Sequence, residues 1–312
     1  MFKDLSNIYN ELYIKAQNNE IFSNLKSLIL SDMNIQFAIE NIKSTINPQI
    51  VGIDKLTINI FTTLSIDEII NHIQELCKNY IPKPVIAKEI QNKQGQIQYI
   101  GIPTIWDRLI QQCILQIIEP ICIAHFCNRN YSYKFQCTIS NIISHVYNRL
   151  QLNKIYNVLE IDIHDLYNYI NHSKLIKQLW TLGIRDKWLI YQLKNILSTP
   201  IILKKIISHP KCGLIQSGIL QLLLLNVALN EFDHWIISQW EEHPIINKYT
   251  NKLNKNGISN KGHSYHAMRQ TNLKEIYLIR YNDNIRIFVK KSKDIQNITI
   301  AIHNWFIKRL KY

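Results

Sequence analysis

At 312 residues, 46% apolar and 19% charged, the chain can bury the core of one large domain or two smaller ones, which excludes the solvated, disordered class. Its net charge of +13 and pI near 9.3, with Lys and Arg scattered along the chain, point to a polyanionic partner; the plain alternative is a Lys-rich composition with no nucleic-acid role. The six cysteines (Cys77, Cys113, Cys122, Cys127, Cys137 and Cys212) include no Cys-x-x-Cys and no close Cys/His quartet, and no uncharged apolar run nears the roughly 20 residues of a membrane span, so zinc, disulfide-framework and membrane classes are set aside.

Abundant Ile, Leu, Asn and Lys fit translation from an AT-rich genome, such as that of an organelle or a reduced bacterium. The opening MFKDLSNIYNEL is amphipathic without a long apolar stretch, so a soluble protein of a reducing compartment is expected, made inside its organelle if it is organellar.

Residues 1–80 carry helical periodicity in Ile8, Leu12, Ile21, Leu25, Leu28 and Ile29, and again in Ile66, Ile69, Ile70, Ile73 and Leu76. Val51 to Asp54 lies between them as a turn, and Ser65 with Glu68 forms a capping box for the second run. From Tyr80 to Thr104, short apolar alternation around Gly95 predicts two strands joined by a turn. Ile105 to Ile121 reads as a helix with Leu109, Cys113 and Ile117 on one face, ended by Pro120.

A buried strand is expected over Ile155–Ile163, and a helix from about Ser173. A second helix, from Ile215 to about Trp240, is apolar almost all round and therefore expected in the core. A polar, Asn/Lys-rich insert at about 243–272 is the best loop candidate, and its Gly262 to His266 could be a loop touching RNA or a tolerated surface excursion. A hairpin over Ile276–Val289 and a helix from Lys293 to Leu310 close the chain. Trp106, Trp180, Trp235, Trp240 and Trp305 fall on helical faces and are expected to pack in the core.

Two carboxylates stand out at the ends of apolar strands, Asp162 in VLEIDIHDLY and Asp283 in IRYNDNIR. A buried carboxylate is costly unless paired or bound to a cation, and two of them aimed at one point could hold Mg²⁺ for phosphoryl transfer. Taken alone, Asn282-Asp283-Asn284 is also ordinary hydrogen-bonding turn chemistry.

Order and spacing add to this. Val51-Gly-Ile-Asp-Lys55, Tyr80-Ile-Pro-Lys-Pro-Val85, Gly101-Ile-Pro-Thr-Ile-Trp-Asp-Arg108, Gln111-Gln112, Glu119-Pro120, Asp162-Ile-His-Asp-Leu-Tyr-Asn-Tyr-Ile-Asn-His172, Gly213 to Asn226 and Arg280-Tyr-Asn-Asp-Asn284 occur in succession. From about Asn41 onward the chain resembles the group II intron reverse transcriptases, the intron-encoded maturases. The resemblance implies an α/β (α+β) right-hand polymerase fold, with an N-terminal helical extension (1–80), fingers (81–150) and a palm with an antiparallel sheet (151–312), the insert at 243–272 included. It implies Asp162 and Asp283 as catalytic metal ligands for Mg²⁺, and Tyr167, Gln216, Gly218 and Lys134 as nucleotide-binding residues.

Several positions depart from the family pattern. Asn284 stands where the Tyr-Ala-Asp-Asp turn has its second Asp, and Ser217 interrupts Gln-Gly-Gly. Gln96-Ile-Gln98 replaces basic fingers residues, and Lys134 stands for an Arg, keeping the charge but losing the bidentate fork. All of these weaken nucleotide addition. The sequence reaches Tyr312 about one helix past the hairpin, so a degenerate, truncated organellar member without a thumb is expected, a plastid being favoured over a mitochondrion. It would bind group II intron RNA and assist splicing without polymerase activity, with no membrane partner and with a thumb-bearing maturase available in trans. The alternatives are an active RNA-directed DNA polymerase using Asp162 and Asp283, or a decaying intron reading frame without function.

Overall fold

The computed structural model describes residues 2–45, 50–91, 97–133, 138–161, 166–215, 218–248, 252–253, 259–260 and 262–310. The chain is α+β and divides into two compact units: residues 1–126 with 165–228, and residues 127–164 with 229–312.

In the first unit, helices Phe2–Gln17 and Asp32–Thr45 pack against the long helix Ile105–Ile123. Leu109, Cys113 and Ile117 of that helix are all buried, as their spacing predicts. Pro120 does not end it. Proline removes one donor and crowds the preceding turn, but Ile117, Ile118, Ile121 and Cys122 around it are buried, and Ala124 N donates to Pro120 O at 3.1 Å. The helix therefore completes its last turn around the proline.

The periodicity at Ile21 and Leu25 does not give helix. Asn19 turns left-handed (φ 58°) and Ile21 is 56% exposed. The amides of Leu25 and Lys26 are instead taken by Asp186, whose Oδ2 accepts at 2.6 and 3.1 Å while its Oδ1 caps helix Lys187–Leu197 through Leu189 N. The Ser65–Glu68 capping box forms as expected and starts helix Ile66–Leu76.

Strands β1 (Val85–Gln91) and β2 (Ile97–Ile102) pair antiparallel, as the alternation predicts, although the intervening turn lies outside the described residues. In the second unit β3 (Asn157–Ile161) lies further along the chain. In the first unit, β4 (Ile201–Leu203) and β5 (Ile206–Ser208) extend the sheet to the order β2-β1-β4-β5, β4 running parallel to β1.

The Gly101–Arg108 segment is a structural joint. Asp107 accepts from Tyr80 Oη at 2.7 Å, from Lys83 N at 3.3 Å and from the Thr104 hydroxyl, while Arg108 Nε donates to Pro103 O at 3.0 Å. Burial pushes the Asp107 carboxyl above its ordinary value, against the pull of the Thr104 and Tyr80 hydrogen bonds. The turn at Gly52 seats directly on this joint: a Cβ there would lie 2.7 Å from Thr104 Cα and 2.8 Å from Pro103 O, so only glycine fits.

In the second unit β6 (Lys252–Leu253) pairs with β7 (Ser259–Asn260). β8 (Ile276–Tyr281) and β9 (Asn284–Val289) form the expected hairpin, and β3 joins β9 to give the antiparallel order β3-β9-β8. The expectation of a buried strand at 155–163 is corrected here: β3 is a half-exposed edge strand, with Val158 42% exposed and Glu160 paired to Arg286 on the open face. The 243–272 insert is corrected in part. Pro244–Lys248 forms a 3₁₀ turn and Gly262–Arg269 a helix that buries Ser264 and Met268, so Gly262 to His266 is helical and not a loop.

The buried helix is Gln221–Gln239, starting later than its apolar run. Phe232 stacks on Phe306 at 4.8 Å and Trp235 on Trp305 at 5.8 Å, which seats the final helix Ile295–Trp305 and the wider turn Phe306–Leu310 that continues it. Trp240 is fully buried. In the first unit Trp180 departs from the core expectation, at 43% exposed with the Arg185 guanidinium 5.6 Å from its ring.

Candidate polymerase site

The motif residues fall in both units. In the first, the segment that holds Tyr167 is knitted to the Gly213 segment by backbone. Leu214 N donates to Tyr167 O at 2.6 Å, Gly213 N donates to Ile170 O at 2.8 Å, and Asn171 bridges Cys212. His172 Nε2 lies 2.7 Å from Gly213 O, and burial lowers its pKa below the ordinary histidine value, against that hydrogen bond. Gly213 has φ +93°, and a Cβ there would meet Asn168 O at 2.9 Å and Tyr167 O at 3.0 Å. Tyr167 is half-buried in the short helix Leu166–Tyr169. Gly218 turns the chain into helix Gln221–Gln239, its N donating to Ile215 O and its O accepting from Gln221 N.

In the second unit, Asn282 and Asp283 form the two-residue tip of the β8–β9 hairpin, with Asn282 left-handed at φ 54°. Three groups hold this tip. Arg280 forks onto Asp233, Nε reaching Oδ1 at 2.8 Å and Nη2 reaching Oδ2 at 2.6 Å, and its Nη1 donates to Asn282 O at 2.8 Å. Ser132 Oγ accepts from Asn282 N at 2.6 Å. The backbone of 129–131 runs beside β8, Arg280 N donating to Arg129 O and Tyr131 N to Arg280 O. Arg280 and Asp233 are both fully buried. Burial pushes the Asp233 carboxyl up while the Arg280 guanidinium pulls it down.

A second buried carboxylate, Glu241, accepts from Leu278 N at 3.3 Å and pairs with Arg129 at 2.6 Å and Arg149 at 3.4 Å. β8 is therefore tied to buried charge at its middle, through Leu278, and near its tip, through Arg280. Asp283 is left exposed at the tip, with Asn284 Nδ2 3.3 Å from its Oδ1, and the adjacent Tyr281 is 40% exposed.

Asp162, Gln216 and Lys134 lie outside the described residues, as do Ser217 and Gln96. Tyr167 and Gly218 belong to the first unit and Asp283 to the second. Among the described residues no group of three or more His, Cys, Asp or Glu is placed to hold a metal ion. At the hairpin tip they supply one carboxylate, Asp283, flanked by the neutral amides Asn282 and Asn284, and the carboxylate of Asp162 lies outside the described residues. The Arg280–Asp233 fork escapes motif reading, although its signal is in the sequence: an Arg in the apolar IYLIRY and an Asp in the apolar LLLLNVALNEFD must find each other or pay for burial.

The pattern of the family described as "Reverse transcriptase (RNA-dependent DNA polymerase)" matches residues 81–310. Protein YkfC of Escherichia coli (strain K12) is 25% identical over 62% of this chain and 51% of its own length. Group II intron-encoded protein LtrA of Lactococcus lactis subsp. cremoris is 25% identical over 92% of this chain and 53% of its own. The chain thus spans about half the length of these curated relatives. Among solved structures, a partial Cas6-RT-Cas1–Cas2 complex matches with a TM-score of 0.47 and 21% identity, over 91% of this chain and 42% of that one. No helix of the described residues is long and apolar enough to cross a membrane. With a match that extends from before β1 to past the Asp283 hairpin, the chain belongs to the reverse transcriptase (RNA-dependent DNA polymerase) family.

Proposed function

We propose that this chain binds group II intron RNA and assists its splicing without copying it. The observation that carries the reading is Asn284, which puts a neutral amide beside Asp283 where the family's Tyr-Ala-Asp-Asp turn has a second carboxylate, so the turn offers less negative charge to divalent cations. An amide oxygen coordinates a cation weakly, and the Asn284 Nδ2 contact turns a donor toward the one carboxylate at the tip. Gln96, Gln98, Lys134 and Ser217 further weaken nucleotide addition. RNA binding is supported by the charge of +13 and by similarity to a group II intron-encoded relative. The Ile-, Asn- and Lys-rich composition supports an AT-rich genome, and the proposed setting is an organelle, a plastid before a mitochondrion.

Primer extension on an RNA template, in Mg²⁺ and in Mn²⁺, tests the reading. No product is expected from the wild-type chain in either metal. Product that Asp283→Ala abolishes would replace the proposal with an active polymerase in which Asp162 and Asp283 hold the metals.

A further inference from the structure

A cavity of about 400 Å³ opens among the three packed helices of the first unit, Phe2–Gln17, Asp32–Thr45 and Ile105–Ile123. Ile8, Phe37 and Leu115 line it with apolar surface, and Asn41, Gln112 and Glu119 bring polar atoms to it. The orientation of its amides is fixed from below. Asn34 Nδ2 donates to two backbone carbonyls, Ile29 O at 2.8 Å and Cys113 O at 3.1 Å, so its Oδ1 faces Gln116. Gln116 Nε2 donates to that oxygen at 2.7 Å, which leaves Gln116 Oε1 to accept from Asn41 Nδ2 at 3.0 Å and Gln112 Nε2 at 3.2 Å. With their nitrogens so engaged, Asn41 and Gln112 keep their oxygens as acceptors.

Glu119 is half-buried at this cavity and makes no hydrogen bond or ion pair among the described residues. Burial pushes its carboxyl up to about 6, so it is an anion at neutral pH, and burial together with that charge raises the Tyr9 hydroxyl to about 12. A carboxylate held in apolar surroundings without a partner is costly, and a ligand that brings a cation recovers that cost. One charge, two neutral acceptors and apolar walls do not make a divalent-metal cage, which asks for several hard oxygens. They suit a single ammonium head on an aliphatic stem.

We propose that this cavity is a binding site for a primary aliphatic amine in its ammonium form, the head on Glu119 with the Asn41 and Gln112 oxygens beside it and the stem against Phe37 and Leu115. The inference does not rest on the RNA-binding reading: Gln112 and Glu119 belong to the ordered motifs, but no residue of the cavity is among the catalytic or nucleotide-binding residues that the resemblance implies. The protein's net charge of +13 repels free cations generally, so binding would have to be local to this cavity.

Isothermal titration of the full chain with hexylamine tests it. Saturable one-to-one binding is expected at pH 7.5. At pH 5.0, one unit below a carboxyl of about 6, only about a tenth of Glu119 is ionised, so affinity should fall about tenfold. Glu119→Gln should weaken binding at pH 7.5 about tenfold or more and remove the pH dependence. Leu115→Trp, which fills the cavity, should abolish it. Hexanol, the same stem without the charge, should not bind. Equal affinity for hexanol, an unchanged affinity in Glu119→Gln, or no saturable binding of hexylamine by the wild-type chain would overturn the proposal. The pH comparison uses no variant and so stands even where a substitution harms folding.

Discussion

Asp233→Ala is expected to destabilise the second unit by about 3–5 kcal/mol, because it leaves the fully buried Arg280 guanidinium without its counter-charge. The fork cannot relax to water: both side chains are at 0% exposure, Asp233 within helix Gln221–Gln239 and Arg280 within β8. The same substitution frees Arg280 from the geometry in which Nη1 reaches Asn282 O, so the Asp283 tip should loosen with it. Replacing both charges, Asp233→Leu with Arg280→Met, should recover most of the lost stability, since a buried pair adds little over apolar residues of similar size. It should not recover the order of the tip, which would still lack the Arg280 hydrogen bond. Denaturant melts of the three variants, with amide exchange at Asn282 and Asp283, separate the two effects: a single variant within about 1 kcal/mol of wild type would show that the fork is not what holds β8.

Gly213→Ala is expected to cost about 2–4 kcal/mol, from backbone strain at φ +93° and from overpacking against Asn168 O and Tyr167 O. Tyr167 O cannot move cheaply, because it already accepts from Leu214 N, and Gly213 cannot back away while its own N donates to Ile170 O. The loss should come with displacement of the Tyr167 helix, read as altered exchange of the 166–169 amides. The counterpart at the nearby exposed position, Cys212→Ala, should leave stability within about 0.5 kcal/mol. A Gly213→Ala protein as stable as wild type would contradict the close approach of the two segments.

What could be read in the sequence was whatever a short stretch decides by itself. The Ser65–Glu68 box, the Asn-Asp hairpin tip and the Leu109–Cys113–Ile117 face depend on residues within a turn or two of each other, and all three form. The failures share a different cause. Ile21 leaves the helical pattern where the chain turns left-handed at Asn19, Leu25 only caps the short helix Lys26–Ile29 with its amide held by a carboxylate 161 residues away, Pro120 is carried inside a helix by the packing around it, and β3 is exposed because it lands on a sheet edge. Apolar composition does not distinguish an edge strand from a central one.

The candidate site was legible in its ordered motifs and hidden in its supports. Asp283 and Tyr167 could be named from the sequence, whereas Ser132, Asp233 and the carbonyls around Gly213 act through contacts 41 to 150 residues apart. The Gly101–Arg108 segment spends its Asp107 on Tyr80, Lys83 N and Thr104 and its Arg108 on Pro103 O, beside the seat of the Gly52 turn. A strongly patterned sequence can thus mark a joint as readily as a reacting group.

In the proposed function the chain serves intron RNA by binding and not by metal-dependent copying. Splicing of a group II intron transcript at an Mg²⁺ concentration too low for it to proceed unaided tests that most directly, with the wild-type chain and with Asp283→Ala. Both proteins are expected to accelerate splicing equally. No acceleration by the wild-type chain would contradict it.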